Sequence, residues 1–137
     1  MPSEHEHLQI IAQNHQALMH LSRPVPATHT EWCVVIIYYM AFHYINAYLA
    51  RKHDEHPASH AMLTPWMGKI PLKDLYAAYR SLEDDSRGAR YYGEKLSVKE
   101  INKSSLPRFN KIQASVMGWL KVPPAKSLDL SFLFPSS

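Results

Sequence analysis

The chain has 137 residues, which is the size of one ordinary domain with its own hydrophobic core. Apolar residues make up 46% of the sequence and charged residues 20%, which excludes an intrinsically disordered chain. Glycine is scarce, with four residues, and alternating runs rich in valine and threonine are few. This composition argues against a small β-barrel or β-sandwich.

Charge is unevenly distributed along the sequence, although the formal net charge is only +3. Residues 1–86 contain six basic and nine acidic side chains, whereas residues 87–126 contain nine basic and two acidic ones. A basic region of this kind is typical of proteins that bind polyanions, and nucleic acid is the first candidate among them. The alternative is a solvated basic face with no specific partner.

Cys33 is the only cysteine, so no disulfide can form within the chain. It lies in an apolar run, where a cysteine acts as a small hydrophobic residue. The N-terminal residues are acidic and rich in histidine, and they lack the positive start and apolar stretch of a signal peptide. We therefore expect a cytoplasmic protein.

The first predicted helix covers residues 4–21. Ser3 and Glu6 have the spacing of a capping box. The prolines within residues 23–26 end the helix, because proline cannot continue the hydrogen-bond ladder. Its apolar face follows a helical period at Leu8, Ile11, His15 and Leu18.

The second predicted helix covers residues 31–51 and begins at a cap provided by Thr28 or Thr30. No face of it is free of large apolar groups, so it must be covered on all sides. A membrane span is one alternative, since about 19 consecutive residues carry no formal charge. Tyrosines, His43 and Asn46 weaken that alternative. The sequence instead favours a central bundle helix, partly covered by a second subunit through Trp32, Tyr38, Tyr39 or Tyr48.

A polar connection, residues 52–60, precedes a short helix that Ser59 caps and that runs through Met67. Pro71 suits the first turn of the next helix. The apolar stripe of that helix turns polar at Ser86 and Arg90 toward its C-terminal end, which marks either a site or the rim of a bundle. Its apolar members are Leu72, Leu75, Tyr76, Tyr79 and Leu82.

The sequence of the last third of the chain predicts a helix that begins at the capping-box pair Ser97 and Glu100 and begins again at Pro107. Lys95, Lys99 and Lys103 follow a four-residue spacing, so we expect them on one helical face. Prolines 123 and 124 end the helix. The apolar residues 127–134 either pack on the bundle or form a partner-binding strand. We therefore predict one helical domain, residues 1–122, followed by an apolar tail, residues 123–137.

Three groups of residues have types suited to chemistry. His53, His56 and His60 have a spacing that could bind zinc or nickel, but without a cysteine nearby the sequence favours a structural or solvent-exposed cluster. Arg51 and His56 could act together on a phosphodiester, with the imidazole moving a proton and the guanidinium neutralising charge on phosphorus. No metal site and no cofactor are predicted.

The third group lies near the predicted end of the helix that follows Pro71. Arg87 and Arg90 stand beside Tyr91 and Tyr92, which suits phosphate contacts together with base stacking. The alternative is a helix end at which arginines complement the macrodipole and Gly93 stops the helix.

Residues 30–92 also carry a pattern whose order and spacing are more specific than any single piece. The residues concerned are Trp32, Val34, Val35, 38–43, Ala47, Leu49, 56–60, Leu75, Tyr76, Tyr79, Leu82 and 86–91.

This pattern resembles the HEPN superfamily of small helical proteins. The resemblance implies an up-and-down bundle of four or five helices that pairs as a homodimer. It also implies metal-independent RNA cleavage by an Arg-x4-6-His motif at the dimer cleft, which falls on Arg51 and His56 in this sequence. Other members of the superfamily are non-catalytic partners of nucleotidyltransferases or bind RNA or nucleotides, and a toxin–antitoxin or defence setting is implied with them.

Three functions follow from these observations: a module that binds RNA or a nucleotide-bearing partner, a ribonuclease that uses Arg51 and His56, and a purely structural interaction protein. The first is the expected function. Its candidate RNA-contacting or phosphate-contacting residues are His43, His60, Arg87, Arg90, Tyr91, Lys95, Lys99 and Lys103.

Overall fold

The structure is a computed structural model that describes residues 2–123, 126–131 and 133–135. A 3₁₀ turn, Leu72–Leu75, leads into the fourth helix, and a π-helix, Ile101–Ser105, joins the fifth to the sixth. No strand occurs among the described residues, so the predicted all-α class is confirmed. The helices are α1 Glu4–Leu21, α2 Thr30–His53, α3 His60–Met67, α4 Tyr76–Tyr92, α5 Val98–Glu100 and α6 Leu106–Leu120.

Helix α2 lies at the centre, and α1, α4 and α6 pack around it. Arg51 at the end of α2 contacts Glu4 at the start of α1 and the carbonyl of Leu120 at the end of α6. Glu31 at the start of α2 pairs with Lys95, just after α4, at 3.6 Å. Helices α1 and α4 are therefore antiparallel to α2, and α6 is parallel to it, which is an up-and-down arrangement.

The single chain buries most of α2. Among the described residues it is the one helix long and apolar enough to cross a membrane, and 78% of its most apolar window is buried by the rest of the chain. Tyr38 and Tyr48 are already covered within the chain, whereas Trp32 is 55% exposed and Tyr39 partly exposed. Of the four residues predicted to meet a second subunit, Trp32 and Tyr39 are thus the two that remain available.

Local capping explains where most helices begin and end. Both predicted capping boxes form, at Ser3 and at Ser97, and the Ser59 side chain accepts a hydrogen bond from the third residue of α3. Gly93 ends α4 with φ 64°, a left-handed conformation that favours glycine. The predicted threonine cap of α2 is wrong, because the cap residue is His29 and its side chain makes no capping bond.

The three lysines predicted to share one helical face do not share it. Helix α5 begins at Val98, so Lys95 lies before it. Lys103 lies in the π-helix, where the N–H of Leu106 bonds to the carbonyl of Ile101. Pro107 explains this irregularity, since it has no N–H and its ring clashes with a regular α-helical turn before it.

The apolar tail packs on the bundle rather than forming a strand. Leu130 and Phe134 are buried, at 0% and 1% exposure. The Gln113 side chain bonds to both backbone groups of Leu128, at 2.7 Å to its N–H and 3.0 Å to its carbonyl. Helix α6 ends before Pro123, and the residues of the tail region that lie outside the described ones are Pro124, Ala125, Phe132, Ser136 and Ser137.

Candidate nucleic-acid interface

A chain of polar side chains connects α3, α4 and α2. His60 is the first residue of α3, and its Nδ1 lies 2.9 Å from the hydroxyl of Tyr79 on α4. The Tyr79 hydroxyl lies 3.0 Å from that of Tyr38 on α2. The rings of His60 and Tyr79 also stack, with their centroids 5.5 Å apart. Three helices are therefore held together by one bonded series of hydroxyl and imidazole groups.

The two tyrosines keep their protons at neutral pH. Burial raises the pKa of Tyr38 to about 12. Burial and the adjacent Tyr38 hydroxyl raise the pKa of Tyr79 further. Both side chains therefore act as uncharged donors and acceptors, and neither supplies a phenolate for chemistry.

Glu83 lies beside this series, one helical turn after Tyr79 on α4. Its side chain is only 4% exposed, although it carries a carboxyl group. Its Oε1 lies 4.0 Å from His60 Nε2 and 3.8 Å from Arg87 Nε. Its Oε2 is buried with no hydrogen-bond partner, as is the hydroxyl of Ser86. Unpartnered buried groups of this kind are uncommon in proteins.

The end of α4 presents arginine and tyrosine side chains together. Arg90 donates from Nη1 to the hydroxyl of Tyr39 at 3.1 Å and from Nε to the carbonyl of Ser86 at 3.3 Å. Its guanidinium carbon lies 5.7 Å and 5.2 Å from the ring centroids of Tyr39 and Tyr91, within cation–π range. Below we name as the tyrosine–arginine face the residues Tyr39, Arg87, Arg90, Tyr91 and Tyr92.

Two rings of the tyrosine–arginine face are largely free. Tyr91 is 68% exposed and Tyr92 is 76% exposed, which is unusual for aromatic side chains on a well-packed helix. They lie in the last turn of α4, directly before the left-handed Gly93 that ends the helix. Exposed tyrosines next to guanidinium groups offer stacking and phosphate contacts in one place.

The basic residues that follow α4 extend the positive charge. Lys99 and Lys103 are exposed, and Lys95 is bonded to Glu31 in an ion pair at 3.6 Å. A groove of about 540 Å³ runs between the loop before α2 and the start of α5. Lys95 and Lys99 line that groove. The two exposed lysines are therefore available to a polyanion, and Lys95 only in competition with Glu31.

Arg51 and His56 have separate contacts. The guanidinium of Arg51 donates to the carbonyl of Leu120 and pairs with Glu4 at 3.5 Å between Nε and Oε1. His56 Nε2 lies 3.3 Å from Asp54 Oδ1. Arg51 thus stabilises the C-terminal end of α6. That Arg51 and His56 act together as a ribonuclease stays a prediction.

The three histidines considered for a metal have different surroundings. The ring of His53 lies against Trp66, at 5.0 Å between centroids, and His60 belongs to the tyrosine series. His56 lines a pocket together with His7 and His43. Among the described residues no group of three or more histidine, cysteine or acidic side chains is arranged to hold a metal ion.

Some of the predicted residues therefore meet and others do not. His60, Arg87, Arg90 and Tyr91 gather around α4, whereas His43 lies one turn further along α2 than Tyr39 and lines a pocket with His7 and His56. Sequence reasoning missed a further set of neighbours on α2 and α4. For Tyr79 and Glu83 the signal was the four-residue spacing of polar side chains on α4. The missed residues are Tyr38, Tyr39, Tyr79 and Glu83.

No protein-family model, curated protein or solved structure matches this chain. The fold and the geometry of the side chains therefore carry the functional argument.

Proposed function

We propose that this protein is an RNA-binding module that holds single-stranded RNA on its tyrosine–arginine face. The observation that carries the proposal is the exposed ring of Tyr91, whose centroid lies 5.2 Å from the guanidinium of Arg90, with a second exposed ring, Tyr92, next to it in the chain. Single-stranded RNA is bound by aromatic rings that stack on its bases and by arginines that contact its phosphates. Each ring supplies about 1–3 kcal/mol in proteins that bind RNA in this way.

The charge distribution supports the same surface. The region that begins at Arg87 contains nine basic and two acidic residues over 40 positions, 87–126. Lys99 and Lys103 follow the face in the chain and are exposed to solvent. A phosphate backbone that crosses from the face to these lysines would release counterions, so binding would weaken as salt rises.

Binding is favoured over cleavage because of the contacts that Arg51 makes. A phosphate-stabilising arginine needs free donors aimed at the substrate, whereas the guanidinium of Arg51 is engaged with Leu120 and Glu4. Arg87 has a longer ion pair, 3.8 Å to Glu83, and its side chain is 57% exposed against 41% for Arg51. Arg87 is thus better placed for an RNA phosphate than Arg51.

Fluorescence anisotropy with a labelled single-stranded RNA tests the proposal. We expect Arg90→Lys to weaken binding about tenfold, or about 1.4 kcal/mol, because lysine lacks the planar fork that bonds Tyr39 and stacks on Tyr91. Lys99→Glu together with Lys103→Glu should weaken binding and lower its salt dependence. Lys73→Glu, an exposed lysine before α4, is the matched control. Binding that is absent at low salt, or equally weakened by Lys73→Glu, would overturn the proposal.

A further inference from the structure

A second concave site lies about one turn further along α2 than Tyr39. It is a cavity of about 230 Å³ between α1, α2 and the connection to α3. Pockets that hold drug-sized ligands occupy roughly 300–1,000 Å³, so this one has room for a single ring system. We name it the histidine pocket, and its lining residues are Pro2, His7, Phe42, His43, Asn46, His56, Pro57 and Ala58.

The polar residues of the histidine pocket are incompletely bonded. His7 is 4% exposed and Asn46 is fully buried. Three buried atoms there have no hydrogen-bond partner, namely His7 Nε2, Asn46 Oδ1 and His56 Nδ1. Leaving such an atom unbonded costs about 1–3 kcal/mol, so a ligand that bonds to it gains that energy back.

Two of these atoms are hydrogen-bond acceptors. The Asn46 amide nitrogen donates to the carbonyl of Phe42 at 3.0 Å, so the free atom of that side chain is its oxygen. His56 Nε2 faces a carboxylate oxygen of Asp54 at 3.3 Å, and a carboxylate only accepts. This contact favours the tautomer that carries its hydrogen on Nε2 and has a lone pair on the unpartnered Nδ1.

Two free acceptors require a ligand with two N–H donors. An exocyclic amine on a heteroaromatic ring has two such donors and is uncharged. A cationic amine fits less well, because the pocket has no acidic residue in its lining and a buried charge without a counter-charge is costly. Burial and the neighbouring His43 and His56 also lower the pKa of His7 to about 4, so that imidazole is neutral at neutral pH.

Aromatic rings connect the pocket to the tyrosine–arginine face. Phe42 lines the pocket, and its ring centroid lies 6.2 Å from that of Tyr39. The guanidinium of Arg90 lies 5.7 Å from the centroid of Tyr39. Tyr39, Phe42 and His43 lie on one side of α2, because residues three and four positions apart in a helix share a face, so the pocket follows the tyrosine–arginine face along α2.

We propose that the histidine pocket binds one nucleobase that carries an exocyclic amine, namely adenine, cytosine or guanine, from RNA held on the tyrosine–arginine face. This rests on the proposed function. Asn46 Oδ1 and His56 Nδ1 accept the two hydrogens of the amine, and Phe42 and His43 contact the ring. Uracil has a single N–H donor and leaves one acceptor unbonded, so it binds less well.

Anisotropy with 12-residue oligomers of adenylate, cytidylate and uridylate tests this proposal. We expect the wild-type protein to bind the first two about tenfold more tightly than oligouridylate, which is the value of about one hydrogen bond to a buried acceptor. Ala58→Trp fills the mouth of the pocket from an exposed position and should abolish that preference while leaving the affinity for oligouridylate unchanged. Ala77→Trp, at an exposed alanine in the first turn of α4, is the matched control and should keep the preference.

A second measurement tests the pocket without RNA. Cytidine added to the wild-type protein should shift the NMR signals of the His7, His43 and His56 rings, and uridine should not. If no oligomer binds, the RNA-binding function is wrong, and shifts caused by cytidine alone still support the pocket. Equal binding of all oligomers, or cytidine and uridine causing the same or no ring shifts, overturns the pocket.

Discussion

Arg90 and Tyr39 lie 51 positions apart in the sequence and are joined by a hydrogen bond of 3.1 Å from the guanidinium to the hydroxyl. This bond fixes the end of α4 against the middle of α2. The same guanidinium bonds to the carbonyl of Ser86 and stacks near Tyr91. Arg90 and Tyr39 are therefore held in place before any ligand arrives, so binding to them loses less conformational entropy than binding to a flexible loop.

The tyrosine series should make a measurable contribution to stability. The Tyr79 hydroxyl bonds to both His60 and Tyr38 and is fully buried. We expect Tyr79→Phe to lower the free energy of unfolding by about 1–3 kcal/mol, because the buried Tyr38 hydroxyl and the partly buried His60 ring each lose a partner. Urea denaturation measures the change. Tyr76→Phe, whose hydroxyl is bonded to Arg80 on the surface, should change stability by less than about 0.5 kcal/mol, and an equal loss in both variants would contradict the prediction.

A second subunit, if the predicted homodimer forms, has one exposed strip of α2 to cover. Trp32 is 55% exposed, and Ile36 and Tyr39 follow it on successive turns with part of their surfaces free. We expect light scattering at micromolar concentration to give twice the mass of the 15.8 kDa chain, and Trp32→Glu to halve it.

Met62→Glu is the control for that experiment. Met62 is 56% exposed on α3, away from the strip, and its replacement should leave the mass unchanged. A wild-type protein of monomeric mass would contradict the predicted dimer. Urea denaturation of Trp32→Glu distinguishes loss of the dimer from loss of folding. The variant should stay folded, since an exposed tryptophan in a monomer contributes little to the free energy of unfolding.

Arg51 should act on stability rather than on RNA. Its guanidinium bonds to the last carbonyl of α6 and pairs with Glu4, so it joins three helices at one end of the bundle. We expect Arg51→Lys to lower the free energy of unfolding by about 1 kcal/mol and to leave RNA affinity within twofold. Cleavage of RNA in EDTA that disappears in Arg51→Lys, with folding unchanged, would contradict this role and support the ribonuclease alternative.

Short-range features of the fold were predictable from the sequence. The capping boxes at Ser3 and Ser97, the cap at Ser59 and the stop at Gly93 depend on residues within four positions of one another. Such signals act through local backbone hydrogen bonds, so they need no knowledge of the tertiary structure. The predicted threonine cap of α2 was wrong because no side chain makes a capping bond at the start of that helix.

The site depended on contacts that no local pattern contains. Tyr38 meets Tyr79 across 41 positions, and His7 meets His43 across 36. A tyrosine in an apolar helix has the same appearance in the sequence whether its hydroxyl finds a partner or not. Arg90 was predictable as a polar end of an apolar stripe, but Glu83 became noticeable only when the structure showed its carboxylate buried.

The buried pair of His7 and His43 predicts that acid destabilises the protein. Their Nδ1 atoms lie 2.9 Å apart, and only one hydrogen can lie between them, so the pair cannot hold two protonated rings in this contact. Burial, followed by the neighbouring His43 and His56, lowers the pKa of His7 from 6.5 to about 4, and Glu6 opposes this weakly. Burial also lowers the pKa of His43. The folded protein therefore holds these rings uncharged at pH values where the unfolded chain protonates them.

The sign of the pH dependence follows from this difference. As the pH falls from about 6.5 toward about 4, the unfolded state binds a proton at His7 that the folded state does not, so stability falls with pH. One such proton lowers the free energy of unfolding by about 1.4 kcal/mol per pH unit, on the order of 3 kcal/mol over the whole range. Urea denaturation at pH 7, 6, 5 and 4.5 measures the slope. His7→Gln should flatten it and His20→Gln, an exposed histidine on the last turn of α1, should not; the same slope in all three proteins would contradict the assignment to His7.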